Sequence, residues 1–202
     1  MKKYILLVCL VASYFSAAAQ SDFQLKGYYG ISGTSASRKV DLDGASSVDM
    51  KNFKEFGLLL SKSVGSNFRL NTGLNYAFGD VSFRPGPCGD PICMQASSIM
   101  YVHEPKFKML SVPLYAEYGF WKFLYAAAGP IVDFQLSDGN NFSDQSGIGY
   151  LIGLGGRVET SKLSFSIFPN YKRHGVIPFE DSDKYKHVLQ ELGLQFGVGY
   201  KF

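Results

Sequence analysis

The last twelve residues of the chain alternate in polarity with a period of two residues. Between Glu191 and Phe202, one set of alternate positions is continuously apolar: Leu192, Leu194, Phe196, Val198, Tyr200 and Phe202. The positions between them are small or polar: Glu191, Gly193, Gln195, Gly197, Gly199 and Lys201. Strict alternation over this length is typical of a β-strand with one apolar face, because successive side chains of a strand point to opposite sides. Such a face must be buried against another sheet or against lipid.

Seven earlier segments show the same pattern with varying strength. They are Phe23–Ser32, Phe53–Ser63, Phe68–Phe78, Phe107–Tyr118, Phe123–Leu136, Ile148–Glu159 and Leu163–Tyr171. In Phe123–Leu136 apolar and small residues occupy both sets of positions, so the pattern does not assign its inner side. Pro113, Pro130 and Pro169 fall within strands, where each removes a ladder hydrogen bond, so we expect bulges or strand ends there.

Short and long connections alternate along the chain. The short ones are Val64–Asn67, Gly119–Lys122 and Thr160–Lys162, and the long ones are Gly33–Asn52, Gly79–Lys106, Ser137–Gly147 and Lys172–Lys186. Short periplasmic turns and long external loops are the layout of outer-membrane barrels. After residue 20 no apolar run reaches the ~18 residues of a membrane helix. The sequence therefore predicts an all-β fold, an eight-stranded antiparallel up-and-down transmembrane barrel with both termini in the periplasm.

The polar faces of these strands favour lipid around the outside. They are rich in Gly, Ser, Asn and Gln and sparse in charge, as in a crowded lumen. Lipid also requires a closed sheet, since each unpaired backbone group in hydrocarbon costs several kcal/mol. A soluble barrel of the lipocalin kind, with its apolar residues inside, is the alternative.

The N-terminus has the sequence features of an export signal. Met1–Ala19 combines Lys2 and Lys3, an apolar stretch and three alanines ahead of Gln20, which predicts a cleaved signal peptide over residues 1–19 and a barrel domain over residues 20–202. Removing residues 1–19 leaves 18 basic and 17 acidic residues, so charge does not suggest a nucleic-acid partner. The predicted location is the bacterial outer membrane.

The predicted barrel domain contains two cysteines. Cys88 and Cys93 are separated by four residues that include a Gly and a Pro. In an exported protein this spacing predicts a small disulfide loop, with free thiols or metal binding as the alternatives.

Two central segments and the C-terminus carry a family resemblance. The segment Leu110–Tyr118 (LSVPLYAEY), followed by Leu124–Pro130 (LYAAAGP), resembles the central strands of small bacterial outer-membrane barrels of the porin-like and PorT-like families. Phe202 resembles the C-terminal aromatic signal that the barrel-insertion machinery reads in such proteins. The resemblance implies a fold rather than an activity. Since PorT-like barrels are linked to a protein secretion system, it also implies an accessory role in export as one alternative.

The first candidate site is the lumen. Seven charged residues fall on predicted inner faces: Lys26, Glu55, Arg69, Glu117, Arg157, Glu191 and Lys201. We interpret them as a plug of paired charges, because an eight-stranded interior is just wide enough for side chains to fill. A proton or ion path is the alternative. Arg69 and Glu117 lie near the periplasmic ends of adjacent strands and are predicted to form an ion pair.

The histidines and the loops supply the remaining candidates. His103, His174 and His187 are placed in or beside long loops, where a His with a Ser could act on outer-leaflet lipid acyl chains. No serine partner is fixed, so no catalytic residue is assigned, and no cofactor or metal site is predicted. The loop Gly79–Lys106 is long enough to contact lipopolysaccharide or an extracellular protein. The expected partners are outer-membrane lipid, the insertion machinery and an extracellular or periplasmic protein.

The predicted function is therefore that of an integral outer-membrane barrel with a filled lumen and a structural, binding or assembly role through its loops. The secretion accessory, a small-solute porin and an acyl-modifying enzyme are the alternatives.

Overall fold

The computed structural model describes residues 23–38, 47–84, 106–137, 144–180 and 187–202. These residues form eight strands: β1 (Phe23–Arg38), β2 (Ser47–Ser63), β3 (Phe68–Arg84), β4 (Lys106–Gly119), β5 (Leu124–Gln135), β6 (Gly147–Glu159), β7 (Leu163–Pro178) and β8 (His187–Lys201). The predicted signal peptide, residues 1–19, lies outside the described residues and stays a prediction.

No helix within the described residues is both long and apolar enough to cross a membrane.

The strands form one closed barrel in which each strand pairs antiparallel with its neighbour in sequence. The ring is closed by β1 and β8, which pair from Gln24 with Lys201 to Arg38 with His187. The eight-stranded antiparallel up-and-down barrel is confirmed. Several strands continue farther into the long connections than the polarity pattern indicated; β7, for example, ends at Pro178 rather than at Tyr171.

The expectation of bulges or strand ends at the prolines is wrong. The strands run through Pro113, Pro130 and Pro169, and the register on either side of each proline is unchanged. The register shifts instead between Lys51 and Lys54 and between Ile148 and Tyr150. A closed ring holds each strand between two neighbours, so the loss of one N–H donor leaves the surrounding ladder to keep the register.

The inner and outer faces follow the predicted alternation. Strand β5, which the sequence left unassigned, directs Tyr125, Ala127, Ile131 and Asp133 inward. Its inner face is largely apolar, which is why polarity alone did not identify it. On the outer face, large apolar side chains are exposed around the whole barrel, among them Leu58, Leu74, Leu114, Leu154, Leu192 and Phe196.

Glycine at position 73 is required by the close approach of β2. A Cβ atom at Gly73 would lie 2.0 Å from the backbone oxygen of Leu58, whereas a Cβ at Gly33 would meet nothing within 4 Å. We expect Gly73→Ala to lower the free energy of unfolding by about 1–3 kcal/mol, because β2 or β3 must shift. The measurement is urea unfolding of the barrel in detergent, with Gly33→Ala as the matched control. Equal stability of the two variants would contradict the proposed crowding.

Candidate functional site in the barrel lumen

The lumen is filled by side chains that form alternating charged and apolar groups. From the end with the short turns to the end with the long loops, these are a charged turn-end cluster, an apolar layer, a central charged network and a second apolar cluster. Each is built by inward positions of several strands, so closure of the ring brings together residues that are far apart in sequence.

The turn-end cluster contains four basic and two acidic residues. Glu117 pairs with Arg157 and lies 3.6 Å from the Lys26 Nζ atom. Arg69 donates to Glu159 at 2.9 Å and to the Gln24 side chain at 2.9 Å. Arg157 Nε also lies 2.7 Å from Glu159. Two carboxylates thereby neutralise part of the basic charge at this end of the barrel.

The predicted ion pair between Arg69 and Glu117 does not form, so that prediction is wrong. Arg69 and Glu117 are directly opposite in the β3–β4 register, as adjacent strand ends require. Their charged groups nevertheless have different partners: Arg69 binds Glu159, and Glu117 binds Arg157 and Lys26. Inward side chains cross a narrow lumen, so the nearest opposite charge need not lie on the neighbouring strand. Lys201 completes the cluster by pairing with Glu159.

An apolar layer separates the turn-end cluster from the rest of the lumen. Its buried residues are Tyr28, Leu59, Tyr115, Tyr125, Ala127, Ile131, Leu151 and Phe168. The Phe168 ring stacks between those of Tyr115 and Tyr125, with centroid distances of 6.3 Å and 5.7 Å. Arg157 of the turn-end cluster lies over the Tyr125 ring, with its guanidinium carbon 5.0 Å from the ring centroid. The apolar layer and the turn-end cluster are therefore in direct contact.

The central network is organised around Lys172. Its ammonium group donates to Glu55 at 2.6 Å and to Glu191 at 3.0 Å, and all three side chains are buried. Glu55 also accepts hydrogen bonds from Asn75 at 2.8 Å and from Gln195 at 2.9 Å. Buried charge is costly unless it is both paired and hydrogen-bonded. Both conditions are met here.

His174 extends the central network to β5. Its Nδ1 atom lies 2.9 Å from Asp133, and its Nε2 atom lies 3.1 Å from Glu191. The prediction that His174 lies in or beside a loop is wrong, because β7 continues to Pro178 and His174 is 0% exposed inside the barrel. The side chain is therefore not available to lipid at the outer surface.

The central network contains residues that sequence reasoning missed. The sequence pattern places Lys172 and His174 in a loop, and it does not assign the inner face of the strand that carries Asp133. Ser164, Ser166 and Asn170 mark the inner positions of β7, and the same period of two continues to Lys172 and His174. Extending that period past Tyr171 would have found both. Asp133 carried no comparable signal.

On the loop side of the central network, a second group of apolar side chains fills the lumen. Phe53, Ala77, Val81, Phe107, Met109 and Leu189 form a second buried apolar cluster. Between the network and the apolar layer lies a cavity of about 10 Å³, lined in part by Asn75, Ser111, Lys172 and His174. This is the space of roughly one water molecule. A wider recess of about 590 Å³ at the turn end is bounded inward by Arg69, Tyr125 and Arg157.

Some of the remaining predicted residues lie on the inner faces of the strands, and others lie outside the described residues. Lys26, Glu55, Arg157 and Glu191 lie on inner faces as their pattern indicated, and Phe202 follows β8 with its N–H donating to the Phe23 carbonyl at 3.1 Å. Cys88, Cys93, His103 and the side chain of His187 lie outside what the structure describes, so the disulfide stays a prediction. Among the described residues, no group of three His, Cys, Asp or Glu side chains is arranged to hold a metal ion.

The fold is similar to that of solved outer-membrane proteins. The outer membrane protein OprG from Pseudomonas aeruginosa matches with a TM-score of 0.54 and 12% identity, over 90% of this chain and 96% of that one. The outer membrane protein AlkL, solved in DMPC lipid bilayers, matches with a TM-score of 0.53 and 13% identity, over 90% of each chain. No family model and no curated protein sequence matches the chain. The likeness shows the barrel fold, and the PorT-like resemblance stays a prediction.

Removing the central lysine tests the network. In Lys172→Met, Glu55 and Glu191 lose their shared cation while remaining buried, so we expect the free energy of unfolding to fall by about 3–5 kcal/mol. The measurement is urea unfolding in detergent micelles, followed by loss of the folded electrophoretic band. Lys162→Met, in an exposed turn, is the matched control and should change stability by less than about 0.5 kcal/mol. A loss no larger than that of the control would show that Lys172 does not hold the carboxylates.

Proposed function

We propose that this chain is an integral outer-membrane barrel with a closed lumen, which serves as a rigid membrane scaffold and acts through its long loops. The single observation that carries the proposal is the filled interior, in which two charged groups alternate with two apolar ones. A membrane location is supported by the continuous exposed apolar surface, which is far larger than the surface of a soluble monomer tolerates.

The height of the apolar surface fits a bilayer. On β3 the outward residues run from Phe68 to Phe78, and the ten residue-to-residue steps between them span about 25 Å at the usual rise and barrel tilt. Outward aromatic rings pair near both ends, as Phe68 with Tyr118 at 4.9 Å and as Tyr150 with Tyr171 at 6.2 Å. Trp121, which is 74% exposed, adds to the turn end. Such aromatic belts are typical of the two membrane interfaces.

The filled lumen argues against diffusion of solutes through the barrel. A permeating ion would have to displace the Phe168 stack and then break the contacts of Lys172 with Glu55 and Glu191. The accessory role in protein secretion rests on the family resemblance and uses the same architecture. An acyl-modifying role for His174 is disfavoured because its imidazole faces Asp133 and Glu191 inside the barrel.

Planar-bilayer recording tests the closed lumen. The purified, heat-modifiable protein should give no stable conductance steps, because the described interior leaves no continuous path. A porin inserted under the same conditions is the positive control. Stable steps of porin size would overturn the proposal and make solute diffusion the leading function.

Epitope insertion tests the orientation that the loop role requires. A tag inserted after Gln95, in the longest connection, should be labelled by antibody on intact cells. A tag inserted after Ser161, in the β6–β7 turn, should be labelled only after the outer membrane is permeabilised. The reverse labelling would place the long loops in the periplasm and contradict a role at the cell surface.

A further inference from the structure

Three lysines lie together on the outer face of the barrel near its loop end. Lys54 on β2 is opposite Phe78 on β3, and Phe78 is opposite Lys108 on β4, so the three form one row across the strands. Lys106 lies one outward position farther toward the loops, opposite Asp80. All three lysines are exposed. We call Lys54, Lys106 and Lys108 the basic row. Together with Asp80, these lysines carry a net charge of +2.

The basic row borders a groove of ligand size. The groove has a volume of about 600 Å³ and is lined by Asn52, Lys54, Tyr76, Phe78, Gly79, Asp80, Lys106, Phe107 and Lys108. Asp80 accepts a hydrogen bond from the Asn52 side chain at 3.3 Å. No ion pair with Lys54, Lys106 or Lys108 occurs among the described residues, so their ammonium groups are free to meet a ligand.

The surface below the basic row is apolar. Phe56, Tyr76 and Phe78 pack ring against ring, with centroid distances of 5.4 Å between Phe56 and Tyr76 and 6.0 Å between Tyr76 and Phe78. Leu110 lies opposite Tyr76 on β4 and continues this surface. A ligand at the groove therefore meets cations at its upper end and hydrocarbon-compatible side chains below. That combination matches a lipid with an anionic headgroup.

The position of the row selects the kind of lipid. If the chain is an outer-membrane barrel, as proposed above, Phe78 marks the upper end of the apolar surface, where the headgroups of the outer leaflet lie. Lys54 and Lys108 are two strand spacings apart, about 10 Å, so both can approach one phosphate-bearing headgroup. On the other side of the barrel, the exposed residues near the loop end include Phe134, Leu136 and Phe179, and the outward face of β7 carries a single cation, Arg173. Among the described residues, the three lysines therefore make their flank the more basic one.

We propose that Lys54, Lys106 and Lys108 form a binding site for a phosphorylated glycolipid of the outer leaflet. The ammonium groups bind the phosphate, and the acyl chains pack along Phe56, Tyr76 and Leu110. Each lysine at such a surface contributes an attraction sufficient for several-fold tighter binding. The site lies at the ends of β3 and β4 that lead into the long connection between these two strands.

Native mass spectrometry of the barrel released from nanodiscs tests the site. The nanodiscs contain phosphatidylcholine with a minor fraction of either diphosphorylated lipid A or the same lipid A with its phosphates removed. We expect the wild-type barrel to retain one phosphorylated lipid A and to retain the dephosphorylated form weakly. The Lys54→Gln/Lys108→Gln double variant should retain phosphorylated lipid A about tenfold more weakly.

Lys62→Gln is the matched control. Lys62 is an exposed lysine at the opposite end of β2, and a nanodisc presents lipid A to both ends. Unchanged retention in this variant supports a specific site, whereas an equal loss would show that any surface lysine suffices and overturn the inference. Equal retention of the dephosphorylated lipid by the wild type would overturn it as well.

The electrophoretic state of the protein separates failure of this inference from failure of the proposed function. A heat-modifiable band from the nanodiscs shows that the barrel is inserted. An inserted barrel without phosphate-dependent retention contradicts only the lipid site. A wild-type barrel that does not insert contradicts the membrane scaffold and the lipid site together.

Discussion

Closure of the hydrogen-bonded ladder between β1 and β8 determines the rest of this molecule. With eight strands in the ring, the interior has a fixed and narrow width. Every inward side chain must then share that space with side chains from the opposite wall. The outward side chains, by contrast, form a continuous apolar surface without an open sheet edge, which is the arrangement that hydrocarbon demands.

The narrow interior explains the pairing of the lumenal charges. Lys172 on β7 reaches Glu55 on β2 across the lumen, and Arg157 on β6 reaches Glu117 on β4 past the intervening β5, so neither pair joins neighbouring strands. The apolar layer around Phe168 separates the two charged groups. Low local polarity strengthens each pair and also makes each unpaired charge more costly. The interior is therefore a set of mutually dependent contacts.

The sequence predicted the strand number, the pairing order and the class of barrel because these depend on a period of two and on connection length, both of which are local. It placed Lys26, Glu55, Arg157 and Glu191 on inner faces for the same reason. It did not predict which charges pair, since Arg69 finds Glu159 only through the curvature of the closed ring. It missed Lys172 and His174 because β7 continues where the apolar alternation weakens. The sequence did not assign the inner face of β5, because Tyr125 and Ile131 make that face as apolar as the outer one.

The contact between Lys172 and Glu55 has a consequence for how the barrel assembles. The two residues are 117 positions apart, and Gln195 approaches the same carboxylate from 140 positions away. Before the ring closes, β2 is separated from β7 and β8 by the remaining strands, and Glu55 must keep its own hydration. Desolvation and pairing then occur in the same event, because a partly closed sheet that dehydrates Glu55 bears the cost of a buried, unpaired charge without the compensating contact. Assembly is therefore cooperative at its final step, with few stable intermediates between an open sheet and a finished ring.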